Sequence, residues 1–418
     1  MPSAPADRLR RIVAEGMCLG CGLCEAIAGA DTLPMHVTID GALRPHIPDD
    51  VAATLVDRIE DLCPGVHVEG LPDHRLDAGT AVDPVWGPWR QLAEAWAADP
   101  STRHEGSTGG VLTALGQYLL VSGRVGFVLH TRASADHPTF GEATISRTAA
   151  EVTAAAGSRY GPTATLVGVN EALEIGEPFA VVAKPCDLAA LDSLARHDPR
   201  VDELVRYRLT MVCGGFGTTP FTDRFLATMG LTRDDLTGFR YRGLGCPGPT
   251  TAHTSGGSSV SRHYLDYWGD GESSWEIPWR CRLCPDGIGE VADIAAADSW
   301  AGGSPRRSDT TNDPGTNAII VRTKVGEELL DAAVANGALT VGAALSIDDL
   351  SRFQPHQVTK KLTGADRIAG LVDAGRLPIR TARLRLAELA ATRPDIDRHA
   401  ERFGTRRRAD EGRGAEAL

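Results

Sequence analysis

Nine cysteines, most of them at ligand spacings, constrain this chain more than any other feature. Cys18, Cys21 and Cys24 are each separated by two residues, with Gly16, Gly20 and Gly22 around them, so three thiols share one tight turn. Thirty-eight residues lie between Cys24 and Cys63, and Pro64 follows Cys63. Cys281 and Cys284 repeat the two-residue gap, while Cys186, Cys213 and Cys246 lie between the two groups. An odd total fits two sets of four with one left over. Met1 to Arg11 lacks the apolar core of a secretory signal, and no later stretch approaches the ~20 apolar residues of a spanning helix. A cytoplasmic, non-membrane protein is therefore expected, in which paired cysteines serve as thiolate ligands rather than disulfides.

Three close cysteines and a distant Cys-Pro follow the ligand order of bacterial-type ferredoxin modules, which predicts a [4Fe–4S] centre on Cys18, Cys21, Cys24 and Cys63. A structural zinc site is the alternative, although zinc favours two separated pairs over a triplet. The second set is less compact. Cys186 and Cys213 each follow an expected strand, where ligands gather at the edge of a sheet. Taken singly, either is an ordinary buried core residue. With Cys281 and Cys284 they make a second four-thiolate site. Cys246 either replaces one of these or stands free.

Asp and Glu number 55 against 43 Lys and Arg, a formal charge of −12 that argues against a general nucleic-acid or anionic-membrane binder. At 418 residues the chain has room for two or three compact units. Residues 1–85 are punctuated by Pro and Gly and read as a small loop-rich, ferredoxin-like module held by its metal centre. Trp86, Trp89, Leu92 and Trp96 suggest a helical or linker segment. Strand-turn-helix units then follow: a helix from Val111 to a stop at Gly123, strands at Gly126–His130, Phe179–Ala183 and Tyr207–Cys213, and helices from Leu188 and from Thr219. Ala318–Val321 adds a strand and Val325–Asn336 a helix. This alternation predicts an α/β fold with mixed α+β elements and a mixed or mainly parallel sheet over 86–345. Residues 245–280 suit hairpins or loops. The remainder, 346–418, reads as a helical extension, with disorder expected from Arg406 onward.

Two glycine-rich turns suit a phosphorylated cofactor. Gly106, Ser107, Thr108, Gly109 and Gly110 bare the backbone at a helix start that Thr113 continues, where N–H groups and the helix dipole attract a pyrophosphate. A flexible turn is the plainer reading. Gly157, Ser158, Arg159 and Tyr160 offer a second such turn with a cation and hydroxyls. Gly243-Leu244-Gly245-Cys246-Pro247-Gly248 matches the dinucleotide fingerprint as letters only, because Pro247 and Pro249 forbid the helix that should begin there.

Taken in order over roughly residues 85–330, six pieces resemble the coenzyme F420 hydrogenase/dehydrogenase beta-subunit family, which has chlorophyll reductases among its relatives. They are Gly109-Gly110-Val111-Leu112-Thr113, Ala155-Ala156-Gly157-Ser158-Arg159-Tyr160, Lys184-Pro185-Cys186-Asp187, Val212-Cys213-Gly214, Cys281-x-x-Cys284-x-Asp286 and Glu290-x-Ala292-Asp293-Ile294. The resemblance implies an FAD-binding α/β unit carrying a [4Fe–4S] cluster on Cys186, Cys213, Cys281 and Cys284, which leaves Cys246 unassigned. It also implies that the N-terminal cluster module is an addition shared with the chlorophyll-reductase members. Lys184 and Asp187 depart from the small residue and glutamine common in the family, and Ala297 stands where a glycine is usual.

The expected function is that of an iron-sulfur flavoprotein oxidoreductase. Electrons would pass between ferredoxin or a similar one-electron carrier and a small organic substrate or coenzyme F420, through two [4Fe–4S] clusters and FAD. Lys184 and His130 are the candidate catalytic residues: Lys184 to meet negative charge on a reduced ring or an acidic substrate, His130 to supply a proton. The plainer readings are a Lys184–Asp187 salt bridge and a structural histidine. Other function classes remain in view: a non-catalytic electron-transfer subunit of a larger complex, and a zinc-scaffolded interaction protein. A homo-oligomer is compatible with all of them.

Overall fold

The apolar runs of the middle of the chain become one eight-stranded mixed sheet, as the alternation of strands and helices predicts. The structure is a computed structural model that describes residues 4–269, 274–309 and 313–416. In chain order the strands of this sheet are β1 (Gln91–Ala97), β2 (Phe127–Ala133), β3 (Gly141–Ser146), β4 (Phe179–Ala183), β5 (Val205–Met211), β6 (Ile294–Asp298), β7 (Asn317–Val321) and β8 (Leu339–Ala344). Their spatial order is β8-β1-β7-β6-β5-β4-β2-β3. The central four, β2, β4, β5 and β6, run parallel, with Phe127 opposite Phe179, Leu209 opposite Val182 and Leu209 opposite Ile294. Both flanks are antiparallel, with Ala296 opposite Ile319 and His130 opposite Thr144. Both faces of the sheet are covered, which is why these strands read as unbroken apolar runs.

Alternate residues feed different cores. Phe127, Leu129, Phe179 and Val181 point to one side, while Val128, Ala180, Ile294 and Ile319 point to the other. Phe127 and Phe179 stack at 4.9 Å between centroids, a contact worth about 1 kcal/mol beyond the area it buries. Helix α3 (Val111–Val121) and helix α5 (Lys324–Ala335) cover one face. Helix α4 (Pro185–Leu194) covers the other, sharing its core with the N-terminal segment.

That segment is more regular than its proline and glycine content suggests. Two ten-residue helices, α1 (Pro5–Ala14) and α2 (Ala53–Leu62), bury Leu9, Ile12 and Val13 and Val56, Ile59 and Leu62 respectively, at helical spacing. The expected helix or linker at Trp86–Trp96 is corrected: Gly87–Trp89 forms a short strand and Gln91–Ala97 is β1. Trp86 is fully buried and donates its indole N–H to Ser351 at 3.0 Å, so the tryptophans mark core contacts and not a helix face. Residues 249–263 form the expected hairpin, in a three-stranded sheet with Leu236–Arg240.

After β8 come helix α6 (Pro355–Asp373) and helix α7 (Asp395–Asp410), packed on each other. The disorder expected from Arg406 is corrected over 406–416. The helix runs to Asp410, and Glu416 beyond it grips Arg44 through both carboxylate oxygens at 2.6 Å. A tail rich in charge is ordered here because its charges find fixed partners. The extension also pairs with the N-terminal segment, Arg380–Ala382 running parallel to His67–Glu69.

Candidate functional site

The N-terminal cysteines line a cavity of about 50 Å³ whose other walls include Leu9, Ile27, Ile59 and Leu62. Cys18, Cys21 and Cys24 reach it from one turn made possible by Gly20 and Gly22, which hold φ values of +66° and +85°. A side chain at Gly22 would also run into Val167. Cys63 arrives from the end of α2, where its N–H closes the last turn on the Ile59 carbonyl at 2.7 Å. Burial pushes the Cys63 thiol up to about 11, with the Cys18 charge adding to the effect. Burial likewise raises Cys21 and Cys24, and their neighbouring cysteines raise them further. Burial in an apolar wall favours the protonated form of these thiols, and only a bound cation would offset the cost of ionising them there.

Sheet topology gathers the second quartet. Helix α4 begins at Pro185, earlier than the expected Leu188, so Cys186 sits in its first turn just past β4. Cys213 follows β5 by two residues, and its N–H is held by the Gly287 carbonyl at 2.7 Å. Cys281 lies in the short helix Trp279–Arg282, and the N–H of Cys284 reaches back to its carbonyl. Burial pushes Cys281 up to about 12, helped by Cys213 and Cys284. Burial first and then Cys284 raise Cys213. Among the described residues no three Cys, His, Asp or Glu side chains are grouped so as to hold a single metal ion. Cys246 stands apart, in a buried loop beside Arg242, where burial pushes it up to about 12.

The two quartets are neighbours. Buried Arg280, next to Cys281, donates to the carbonyls of Pro64 and Gly65, next to Cys63, at 2.7 Å each. Burial works against the charge of Arg44, but Cys18, Glu416 and Cys281 outweigh it and raise the Arg44 pKa. Lys184 lies between the quartets: its ammonium pairs with buried Asp187 at 2.8 Å, donates to the Thr163 carbonyl at 3.1 Å, and acts on Cys186 and Cys21. Burial works against its charge, but Asp187 and Cys186 outweigh burial, and the Lys184 pKa is raised. It is a fixed cation.

Cys213 and Lys184 also line a much larger cleft, of about 490 Å³, at the C-terminal edge of the parallel strands. Of the sequence-predicted residues, Ser107, Thr108, Gly110, Thr113, His130 and the whole of Gly157–Tyr160 face it. Gly106 and Gly109 do not. Gly106 packs against Gly110, and Gly109 gives its N–H to Asn317 at 3.0 Å where a side chain would strike the Ala95 carbonyl. The two glycine turns meet directly, Ser158 N–H donating to Ser107 Oγ at 2.6 Å. Arg159 has no carboxylate partner among the described residues: one nitrogen takes the Phe239 carbonyl at 3.1 Å and its buried Nε takes nothing. Burial, with the nearby Arg240 charge, lowers this guanidinium to about 10. A half-buried cation with no carboxylate partner among the described residues, beside bare backbone at a helix start, suits an anionic group such as a pyrophosphate.

His130 is a neutral ring. Burial depresses it to about 4, and its Nε2 lies 2.7 Å from Ser146 Oγ. Several cleft residues escaped sequence reasoning. Arg242, almost wholly buried, clasps Asp298 at 2.8 and 3.0 Å, meets Thr108 Oγ1 at 2.6 Å, and lies 4.4 Å from the Trp300 ring centroid. Trp275 and His356 line the same end, 5.9 Å apart. Arg242 and Asp298 are 56 residues apart in the chain, and no local pattern announces the pair. Asp293, by contrast, is fully occupied by Arg208 N–H, Thr323 and Arg75, a structural role.

Comparison with known proteins bears on both sites. Residues 92–169 match the family model described as coenzyme F420 hydrogenase/dehydrogenase, beta subunit N-term, and residues 176–346 match the companion model for the C terminus of the same beta subunit. Together these spans exceed half of the chain. Among solved structures, the chain is similar to one chain of the xenon-derivatised F420-reducing [NiFe] hydrogenase complex from Methanosarcina barkeri. The TM-score is 0.52 at 20% identity, covering 67% of this chain and 92% of that one. At that identity the likeness is one of fold. No curated protein matches. No helix among the described residues is long and apolar enough to cross a membrane.

Proposed function

Because the chain belongs to the coenzyme F420 hydrogenase/dehydrogenase beta-subunit family, a family of oxidoreductases, we propose that it is an iron-sulfur flavoprotein. In this reading it moves electrons between a one-electron carrier of ferredoxin type and an organic two-electron partner, coenzyme F420 or another conjugated acceptor. Two [4Fe–4S] clusters would supply single-electron steps and FAD the conversion to two-electron chemistry.

Cys18, Cys21, Cys24 and Cys63 would hold the first cluster, and Cys186, Cys213, Cys281 and Cys284 the second. Residues 1–85 form the input module, 86–345 the core, and 346–418 an extension that braces both. Ser107, Thr108, Gly110 and Thr113, with Gly157–Arg159, bind the cofactor's phosphates. Tyr160 belongs to an aromatic wall with Trp268, 5.1 Å away, and excludes water there. Lys184, held protonated by Asp187, presents positive charge where negative charge gathers. His130 orients through Ser146 and, being neutral down to about pH 4, is a hydrogen-bonding partner in place of the expected proton source.

One observation supports the reading: Cys213, whose thiol feels nearby Cys284, also lines the wall of the cleft. The test is anaerobic purification followed by iron analysis, acid release of flavin and reduction by dithionite-reduced ferredoxin. Iron together with flavin is expected; a preparation that releases no flavin sinks the proposal. A second reading, an electron-transfer subunit that acts only within a larger assembly, draws on the likeness to a chain of a hydrogenase complex. Turnover of an organic acceptor by the single purified chain would exclude it.

A further inference from the structure

Helix α6 begins nine residues past the last residue matched by the family models, yet it is built into the second quartet. Its inward face carries His356, Gln357, Lys360 and Lys361, all buried. Gln357 donates from Nε2 to the Cys213 carbonyl at 2.8 Å, and its Oε1 fills the space where a side chain on Gly287 would go. Gly287 is the residue whose carbonyl holds the Cys213 N–H. One turn on, Lys360 Nζ donates to the Gly214 carbonyl at 2.8 Å.

The two adjacent lysines differ in one respect. Lys361 pairs with buried Glu290, which Arg385 also meets. Lys360 is 8% exposed, and its acceptor among the described residues is a carbonyl, not a carboxylate. A buried ammonium without an anion is strongly unfavourable, so its position implies negative charge beside it. The Gly214 carbonyl it holds adjoins Cys213, its charge favours the thiolates of Cys213 and Cys281, and His356 on the same helix face is kept neutral by burial and then by Lys360.

We propose that Lys360 is a positioning residue for the second quartet: its ammonium, fixed on the Gly214 carbonyl, compensates the charge of the thiolates and raises the reduction potential of the centre they hold. When that centre gains one electron from a one-electron donor its charge becomes more negative by one, no bond changes, and a fixed cation favours the reduced form. The inference rests on the iron-sulfur reading above.

The experiment compares the anaerobically purified full chain with Lys360→Met and Lys360→Arg, measuring iron per chain and the midpoints from an EPR-monitored redox titration. With iron retained, Lys360→Met should lower one of two midpoints by about 59 mV, a tenfold weaker hold on the electron, while Lys360→Arg stays near wild type. Loss of iron in Lys360→Met but not in Lys360→Arg supports the same role, since charge alone separates the two. Full iron with unmoved midpoints in Lys360→Met overturns the proposal, as does equal loss of iron in both variants, which would assign Lys360 to packing. Wild-type protein without iron would instead sink the reading beneath it.

Discussion

The two cysteine quartets solve one problem by different means. In the first, three thiols come from seven consecutive residues and the geometry is local, set by Gly20 and Gly22 in the left-handed region, with only Cys63 brought from afar. In the second, the four thiols lie between residues 186 and 284: Cys186 and Cys213 follow the parallel neighbours β4 and β5, and Cys281 and Cys284 come from the segment that precedes β6. Their surroundings differ as well. Apolar side chains make up most of the wall round the first quartet, whereas Cys213 of the second opens on the cleft and Lys360 sits beside it; Lys184 and Arg280 lie between the two. Local assembly tolerates change elsewhere in the chain. Assembly by topology inherits every long-range tie that holds the sheet ends together.

The largest expected effect breaks the comparison if the quartets are not separate. Cys21→Ser and Cys281→Ser should each reduce iron from about eight to about four per chain, while Cys246→Ser changes nothing. Loss of all iron from either single variant would mean one cooperative site. Next comes Glu290→Ala, which leaves Lys361 and Arg385 without their shared carboxylate in a fully buried position. Breaking such a network costs about 3–5 kcal/mol. Because Glu290 follows Cys284 on the chain that shapes the second quartet, iron there should be released at lower urea than iron in the first. Simultaneous release, followed by EPR during a urea titration, would show that both quartets depend equally on the sheet.

What the sequence discloses follows the same division. Close spacing and flanking glycines made the first quartet readable, and a strand ending before Cys186 and before Cys213 pointed to the sheet edge. The ligand set of the second quartet came only with the family resemblance, since nothing local separates Cys246 from its neighbours. The strands β2, β4, β5 and β7 were legible because two buried faces demand unbroken apolar runs, whereas β1 was misread. Its alanines and glutamate lack strand propensity, and tertiary pairing with β7 and β8 decides its conformation. Arg242 with Asp298, and Gln357 and Lys360 with the Cys213–Gly214 backbone, bridge 56, 144 and 146 residues. Contacts at that separation have no periodicity to betray them. Order beyond Arg406 was hidden for a related reason: the Arg44–Glu416 pair makes a charged tail fold, and charge alone reads as solvation.

A smaller effect belongs to the cleft and to neither quartet. His130 is 8% exposed and its pKa is depressed to about 4 by burial, below the ordinary 6.5. Between those values the unfolded chain binds a proton that the folded chain refuses. Stability is therefore complete above about pH 6.5 and falls as pH drops toward 4, by up to about 3 kcal/mol from this residue. His130→Gln should flatten that part of the acid slope in denaturant titrations at stepped pH. An unchanged slope would assign the acid sensitivity to other groups, His356 first, whose pKa burial also depresses to about 4.

The smallest effect separates global stability from assembly of the sites. Ser346 caps the helix Ile347–Phe353, accepting the Asp349 N–H at 3.2 Å while Asp349 reaches back to the Ser346 N–H at 2.8 Å. This capping box is exposed, and it lies far along the chain from either set of cysteines. Removing it with Ser346→Ala should cost about 1 kcal/mol, because one helix-end donor loses its partner to water. If long-range ties specific to the second quartet are what make it vulnerable, this loss should lower the urea midpoint of the whole chain and leave the order of iron release as in wild type. Should Ser346→Ala release second-quartet iron as early as Glu290→Ala does, any weakening of the fold suffices, and the distinction between local and topological assembly fails.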